Sequence, residues 1–363
     1  MSTEERRIRS ILDLLAQYPA KSGSGLNATA GLLALDDCAV IPISSDIDLV
    51  FGSDFIRGEG FHLFKRGILS WRDVGYYLVG ANVSDLAAMG AAPLGIVVVL
   101  RYTSKMTDED YKEIMEGILM ACSDFEIPLL GGDSGGYDSS VLSAAAVGVC
   151  PHSKAMLRSQ GRAGDALFVT GDVGLAGAAL AYFTRAREEG IKLPVEAEEA
   201  LANSWRRLKP AVKQGLLLVE KGLSRCAIDT SDGLKASCRQ LAEASKLDAV
   251  LYPDDIPIAP LVRDVADTLK VDPLALAVGD SVDFRLVFSA DRDSINEIWQ
   301  AFKEHNWSLF QIGELVDTLT TPTVYLKTTH GLEPVPGVEW AQSDVMSIDQ
   351  LRKGAHKNVK RQE

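Results

Sequence analysis

Six aspartates in this 363-residue chain stand where a carboxylate can reach a ligand: Asp37, Asp54, Asp85, Asp133, Asp229 and Asp232. Asp85 lies in Gly80-Ala-Asn-Val-Ser-Asp-Leu-Ala-Ala-Met-Gly-Ala91, which together with Tyr76 to Val79 reads as one helix. Asn82, Asp85 and Met89 fall at i, i+3 and i+7, on one face. Val79, Val83, Leu86, Ala87 and Gly90 make the other face, apolar or small enough to pack tightly. A carboxylate on such a helix is costly unless it is paired or holds a metal. At this point a hydrogen bond to a neighbouring loop and a cation site are both open readings.

The other acids sit at predicted strand ends. Leu35-Asp-Asp-Cys-Ala-Val-Ile41 opens an apolar run with two adjacent carboxylates, and a strand at Asp48 to Phe51 ends in Gly52-Ser53-Asp54. Ile127 to Leu130 is a short strand running into Gly131-Gly132-Asp133-Ser134-Gly135-Gly136. Glycines there let backbone N–H groups approach an anion, and the aspartate can hold a cation on it; a plain turn with an Asx hydrogen bond is the alternative. Cys226-Ala-Ile-Asp229-Thr-Ser231-Asp232-Gly233-Leu234 reads as strand, polar turn and helix start, a place for a metal or an N-cap. Taken together, the six acids suit magnesium shared with a polyphosphate, because magnesium takes oxygen ligands and bridges carboxylates to phosphates.

The elements that must position these residues are legible in outline. Residues 4 to 17 read as a helix, and the small polar run Lys21 to Ala30 as a loop. Thr107, with Asp110 three residues on, opens an amphipathic helix by a capping box. Val141 to Val149 is a core strand. Ala166 to Thr170 is another, followed by Gly171-Asp-Val-Gly174-Leu-Ala-Gly177, whose spacing suits close strand–helix packing better than a dinucleotide fingerprint. Leu286 to Ser289 reads as a strand, and Ile295 to Phe302 as a helix. Chain length and a change of character near Pro151 predict two domains, 1–152 and 153–345, with a charged tail at 346–363.

Composition narrows the function classes. Hydrophobic residues make up 47% and charged residues 24%, as in a globular protein with sizeable cores. A net charge of −13 argues against a nucleic-acid surface. Cys38, Cys122, Cys150, Cys226 and Cys238 are scattered, without zinc spacing, which suggests reduced thiols in a cytoplasmic protein. No run of about 18 apolar residues offers a membrane span.

The order of motifs resembles the PurM-like superfamily of ATP-dependent enzymes, and within it the thiamine-monophosphate kinases, over roughly residues 5 to 340. The resemblance rests on Asp36-Asp37-Cys38-Ala39, Gly52-Ser53-Asp54, Asn82-Val-Ser-Asp85-Leu-Ala-Ala-Met-Gly90, Gly131-Gly132-Asp133, Arg158-Ser-Gln-Gly161 and Ile228-Asp229-Thr-Ser231-Asp232-Gly233-Leu234. It implies an α/β (α+β), PurM-like two-domain fold, with an N-terminal sheet domain that dimerises and a C-terminal α/β domain with helices packed on a mixed sheet. ATP lies in the cleft as co-substrate, partly against the dimer partner. By the same resemblance Asp37, Ser53, Asp54, Asp85, Asp133, Asp229 and Asp232 hold Mg2+, while Gly132, Asp133, Arg158 and Ser231 contact ATP. Asp85, Asp133 and Arg158 form the catalytic group, and His62 faces a small phosphorylated acceptor.

The acceptor half departs from the family. The usual Gly-Gly-Glu-Asp-Tyr-Glu-Leu is here Asp280-Ser-Val-Asp283-Phe-Arg-Leu286, so Val282 replaces a glutamate. The aromatic expected near the C-terminus is Val338, with Trp340 and Arg285 as candidate substitutes. The expected reaction is therefore magnesium-dependent phosphotransfer of the thiamine-monophosphate kinase type. The alternatives are a paralogue that phosphorylates another small molecule or activates an amide, and a nucleotide-binding regulator without turnover.

Overall fold

The computed structural model describes residues 36–337 apart from Leu319, together with Arg7, Ser10 and Ile11. The Lys21 to Ala30 loop, Val338, Trp340 and the charged tail lie outside the described residues, as does most of the helix expected at 4–17.

The first unit is a five-stranded sheet in the order β1-β2-β5-β3-β4. Its strands are β1 (Ala39–Pro42), β2 (Ile47–Ile56), β3 (Ala92–Tyr102), β4 (Leu129–Gly136) and β5 (Val141–Pro151). β3 and β4 are parallel and the other pairs antiparallel. Side chains alternate across a strand. Val50, Leu142, Ala144, Ile96, Val98 and Leu100 are buried on one face, and Phe51, Phe55, Val97 and Val99 remain exposed on the other. Helices α1 (Trp71–Ala88) and α2 (Asp108–Asp124) pair with each other on the buried side.

Two expectations shift. The run Gly131 to Gly136 was predicted as a turn after a strand, but it is itself the body of edge strand β4. It pairs with β3 along its length, and a side chain on Gly132, at φ 154°, would lie 1.9 Å from the Val98 carbonyl oxygen. The glycines here let the backbone approach its neighbour. Likewise β2 runs on through Gly52-Ser53-Asp54 instead of ending there, because Gly52, Ser53 and Asp54 pair with Ala146, Ala145 and Ala144.

The second unit is a seven-stranded mixed sheet in the order β12-β11-β8-β10-β6-β9-β7. It comprises β6 (Ala166–Val169), β7 (Cys226–Asp229), β8 (Leu247–Leu251), β9 (Leu286–Ala290), β10 (Phe310–Asp317), β11 (Val324–Thr328) and β12 (Gly331–Pro334). Its helices are α3 (Leu175–Ala181), α4 (Val195–Arg206), α5 (Val212–Lys221), α6 (Leu234–Ser245), α7 (Pro260–Leu269), α8 (Pro273–Val278) and α9 (Ile295–Glu304). Phe168 and Phe288 stack at 5.2 Å in its core. Among the described residues no helix is long and apolar enough to cross a membrane.

Helix α1 joins the two units. It starts at a capping box, with the Ser70 hydroxyl accepting from the Asp73 N–H and the Asp73 carboxylate accepting from the Ser70 N–H. It is buried on nearly all sides: α2 and the first sheet lie on one flank, α5 and the end of β7 on another. Its contact with α2 depends on reciprocal glycines. A Cβ on Gly75 would lie 2.1 Å from the Ile114 carbonyl oxygen, and one on Gly117 would lie 1.9 Å from that of Arg72. Gly117→Ala is therefore expected to force the helices apart and cost about 1–3 kcal/mol. The readout is the urea midpoint at unchanged m-value; a midpoint equal to the parent's would show that the helix pair is not close-packed.

Candidate active site

Three elements carry carboxylates to one point. Asp37 precedes β1, Asp85 stands in the last turn of α1, and Asp229 ends β7. Their oxygens lie within 4.8 Å of one another. Each strand end or helix end delivers one acid, so the cluster forms only when both sheets have docked on α1.

The neighbours are arranged to hold these acids in place. The Ser84 hydroxyl donates to Asp229 at 2.5 Å and the Ser231 hydroxyl donates to its other oxygen at 2.7 Å. Arg158 donates to Asp37 at 2.5 Å and to the Gln240 side-chain oxygen at 2.7 Å. The Gln240 amide in turn donates to Asp232 at 3.1 Å. Asn82 orients the adjoining strand, its side-chain oxygen accepting from the Asp54 N–H at 3.1 Å.

Charge is nonetheless in excess. Burial, followed by the charges of Asp229, Asp37 and Asp54, pushes the Asp85 carboxyl well above its ordinary range. Burial and then Asp37 raise Asp229 from 3.8 to about 6, against the hydrogen bonds from Ser84 and Ser231. Asp36, buried and beside Asp37, is raised to about 7, and its Oδ2 has no hydrogen-bond partner. Converging oxygens with one guanidinium among them fit a hard divalent cation. Asp37, Asp85 and Asp229 would hold it, with Asp36 behind them.

A cleft of about 250 Å³ opens beside this cluster. Its lining combines Asp54, Asp85, Asp232 and Ser231 with Arg57, Phe61, Tyr77, Val282 and Phe284. The sequence-predicted residues thus divide. Asp37, Asp85 and Asp229 meet; Asp54, Asp232, Ser231 and Val282 line the cleft, and Arg158 joins through Asp37. Strand register places Ser53 and Asp133 elsewhere, on the exposed face of the first sheet. There Asp133 pairs with Arg101, in line with Phe55 of β2 through Ser143 and Val99. Gly132 shares the edge strand. His62 lies outside the cleft wall, which its neighbour Phe61 forms; burial and then Lys65, Arg66 and Arg57 lower its imidazole below the ordinary value. Arg285 turns to the Asp172 carbonyl at 3.0 Å, away from the cleft wall.

Sequence reasoning missed Ser84, Gln240, Arg57 and Tyr77. Ser84 adjoins Asp85 on the helix singled out, so its turn toward Asp229 was findable. Gln240 is two turns along α6 from Asp232, a relation visible only once that helix is placed.

Residues 35–150 match the N-terminal domain, and 162–322 the C-terminal domain, of AIR synthase related proteins. A thiamine-monophosphate kinase of Methanopyrus kandleri is 31% identical over 265 residues, covering 72% of this chain and 79% of that one. The chain belongs to the AIR synthase-related family. Its two mixed sheets with packed helices are the PurM-like two-domain fold. A Methanocaldococcus jannaschii protein assigned to hydrogenase expression/formation is 27% identical over 285 residues, 78% of this chain and 79% of that one. Among solved structures of the fold, AaThiL complexed with AMPPCP and TMP superposes with a TM-score of 0.75 at 20% identity, covering 94% and 98%. A HypE–HypF complex gives a TM-score of 0.65 at 19% identity, covering 90% and 99%.

The raised Asp85 and Asp229 carboxyls have a thermodynamic consequence in this family member. Their folded values exceed their unfolded ones, so the folded state binds more protons: Asp229 costs stability as pH rises from about 4 to about 6, and Asp85, raised well above its ordinary range, adds to that cost at higher pH. A cation offsets that cost. Mg2+ should therefore raise the Tm more at about pH 7.5 than at about pH 5. Asp85→Asn should raise the metal-free Tm at the higher pH and remove the Mg2+ increment. Thermal melts of both proteins check this; an unchanged increment in Asp85→Asn would assign the cation elsewhere.

Proposed function

We propose that this protein is a magnesium-dependent phosphotransferase that moves the terminal phosphate of ATP to a small phosphorylated acceptor, a reaction of the thiamine-monophosphate kinase type. The observation that carries the reading is the meeting of Asp37, Asp85 and Asp229 within 4.8 Å beside an open cleft. The names of relatives support it, since thiamine-monophosphate kinases recur among them and one solved relative was complexed with AMPPCP and TMP.

A phosphate monoester acceptor presents an oxygen already anionic near neutral pH, so no strong general base is required. The difficulty is to bring two anions into line. Magnesium, when bound, supplies charge neutralisation between the carboxylates and the polyphosphate. Arg158, fixed by Asp37 and Gln240, holds a positive charge at the cluster. Ser84 and Ser231 fix the Asp229 oxygens. Asp54 and Asp232 extend the oxygen set along the cleft, and Ser231 lines it beside them to contact the nucleotide.

Ser53, Gly132 and Asp133 enter through a homodimer. The exposed face of the first sheet carries Phe51, Phe55, Val97 and Val99, an apolar surface suited to a second copy of the chain. Closure through that face brings Asp133 and Ser53 into the interface near the cleft mouth, where Phe55 already stands.

Labelled ATP tests the reaction. The label should appear, by mass, on thiamine monophosphate or another phosphate ester, with ADP released; label on an amide product, or none with nucleotide bound, would select the amide-activating or the regulator reading. Asp85→Asn should lower turnover about a thousandfold, about 4 kcal/mol of transition-state stabilisation, with the fold kept. Light scattering should give twice the 39.2 kDa chain mass, and a species of single-chain mass alone would exclude the dimer.

A further inference from the structure

One side chain links the carboxylate cluster to the cleft. The Asp37 carboxylate takes two donors from Arg158, Nη2 at 2.5 Å and Nε at 3.3 Å. The third guanidinium nitrogen, Nη1, donates to the Gln240 side-chain oxygen at 2.7 Å. The Gln240 amide nitrogen donates in turn to Asp232 Oδ2 at 3.1 Å. Asp232 lines the cleft and Gln240 does not. Gln240 can therefore act on the cleft only through the groups it holds.

Its two partners orient the amide. A guanidinium only donates, so the Gln240 oxygen must face Arg158. The NH2 group is left for the carboxylate, which accepts. Both ends of the amide are thereby engaged, and a side chain that only donates or only accepts could not serve both. Among the described residues Gln240 alone donates to the Asp232 side chain.

Helix α6 gives the amide a fixed base. Ser237 and Gln240 stand at i and i+3, on one face. The buried Ser237 hydroxyl donates to the Asp229 carbonyl oxygen at 2.7 Å. In the last turn the Ser245 hydroxyl donates to the Arg158 carbonyl oxygen at 2.7 Å and accepts from the Gly161 N–H at 3.0 Å. The same helix thus grips the backbone of Asp229 and of Arg158. Through Gln240 it also grips the side chains of Arg158 and Asp232. A group set by supporting hydrogen bonds of this kind is held in one geometry before its ligand arrives.

Resting on the phosphotransfer reading above, we propose that Gln240 is a positioning residue. Anchored on Arg158, it holds the Asp232 carboxylate in register with the Asp37, Asp85 and Asp229 cluster, so that a cation-bound polyphosphate meets both.

The test is a calorimetric titration of AMPPCP, with saturating Mg2+, into the full-length protein. Four chains are compared: unaltered, Gln240→Met, Asp232→Ala and the double variant. Methionine keeps the length of the side chain and removes both its donor and its acceptor. Gln240→Met should weaken binding at least about tenfold, the equivalent of about 1.4 kcal/mol. Once Asp232→Ala has removed the group that Gln240 places, the same substitution should add less than about twofold. A merely structural contribution would weaken both backgrounds alike. Gln240→Asn keeps the amide but is one methylene too short to reach both partners. It should weaken binding in the same sense, and it takes the place of Gln240→Met in the comparison if that variant fails to fold. Undiminished binding in the variant, or equal losses with and without the Asp232 side chain, overturns the proposal and leaves the phosphotransfer reading standing. No binding by the unaltered chain overturns both.

Discussion

Mutual repulsion among Asp37, Asp85 and Asp229 is the constraint on which the rest of the arrangement depends. Three carboxylates within 4.8 Å, partly or wholly withdrawn from water, do not assemble without compensation. Compensation comes from every element that borders them. Ser84 and Ser231 donate to Asp229, Arg158 donates to Asp37, and the Asp85 and Asp229 carboxyls keep their protons to higher pH than a free aspartate. The protein thus stores an electrostatic cost that a divalent ion relieves, and the binding of that ion becomes coupled to the packing of both sheets on α1. This coupling explains why α1 is buried nearly all round and packs against α2 through glycines. A helix free to shift by a fraction of an ångström would spread the acids apart.

Much of this was legible in the sequence, for physical reasons that differ by element. The α2 capping box follows from two residue types at fixed spacing, and Thr107 and Asp110 form it. Helix α1 was recognised from Tyr76 onward, but its start at Trp71 was not, because Ser70 and Asp73 lie ahead of the run that drew notice. The glycine run at 131–136 illustrates the limit of composition. Glycines serve turns and close strand pairing alike, and only the register with β3 separates the two. The same register decides the placement of Asp133. Asp133 pairs with the exposed Val99, so the alternation of the strand turns it to the open face.

The site was legible as a set of acids but not as a constellation. Asp37, Asp85 and Asp229 were named along with others of similar setting, and nothing in their local sequence says which meet. Partners such as Gln240 and Ser84 carry no signal of their own, since glutamine and serine on helices are ordinary. Of the acceptor residues named from the sequence, Val282 lines the cleft, His62 lies beside it, and Val338 is outside the described residues. The aromatic lining of Phe61, Tyr77 and Phe284 draws on three distant segments, and the positive φ of Phe284 has no signature in composition.

Anomalous diffraction from crystals grown with Mn2+ in place of Mg2+ tests the cluster most directly. A peak is expected within about 2.2 Å of oxygens from Asp37, Asp85 and Asp229 together. A peak held by other residues, or none at a concentration that saturates the Mg2+-dependent melting shift, would contradict the assignment of the three carboxylates as the cation site.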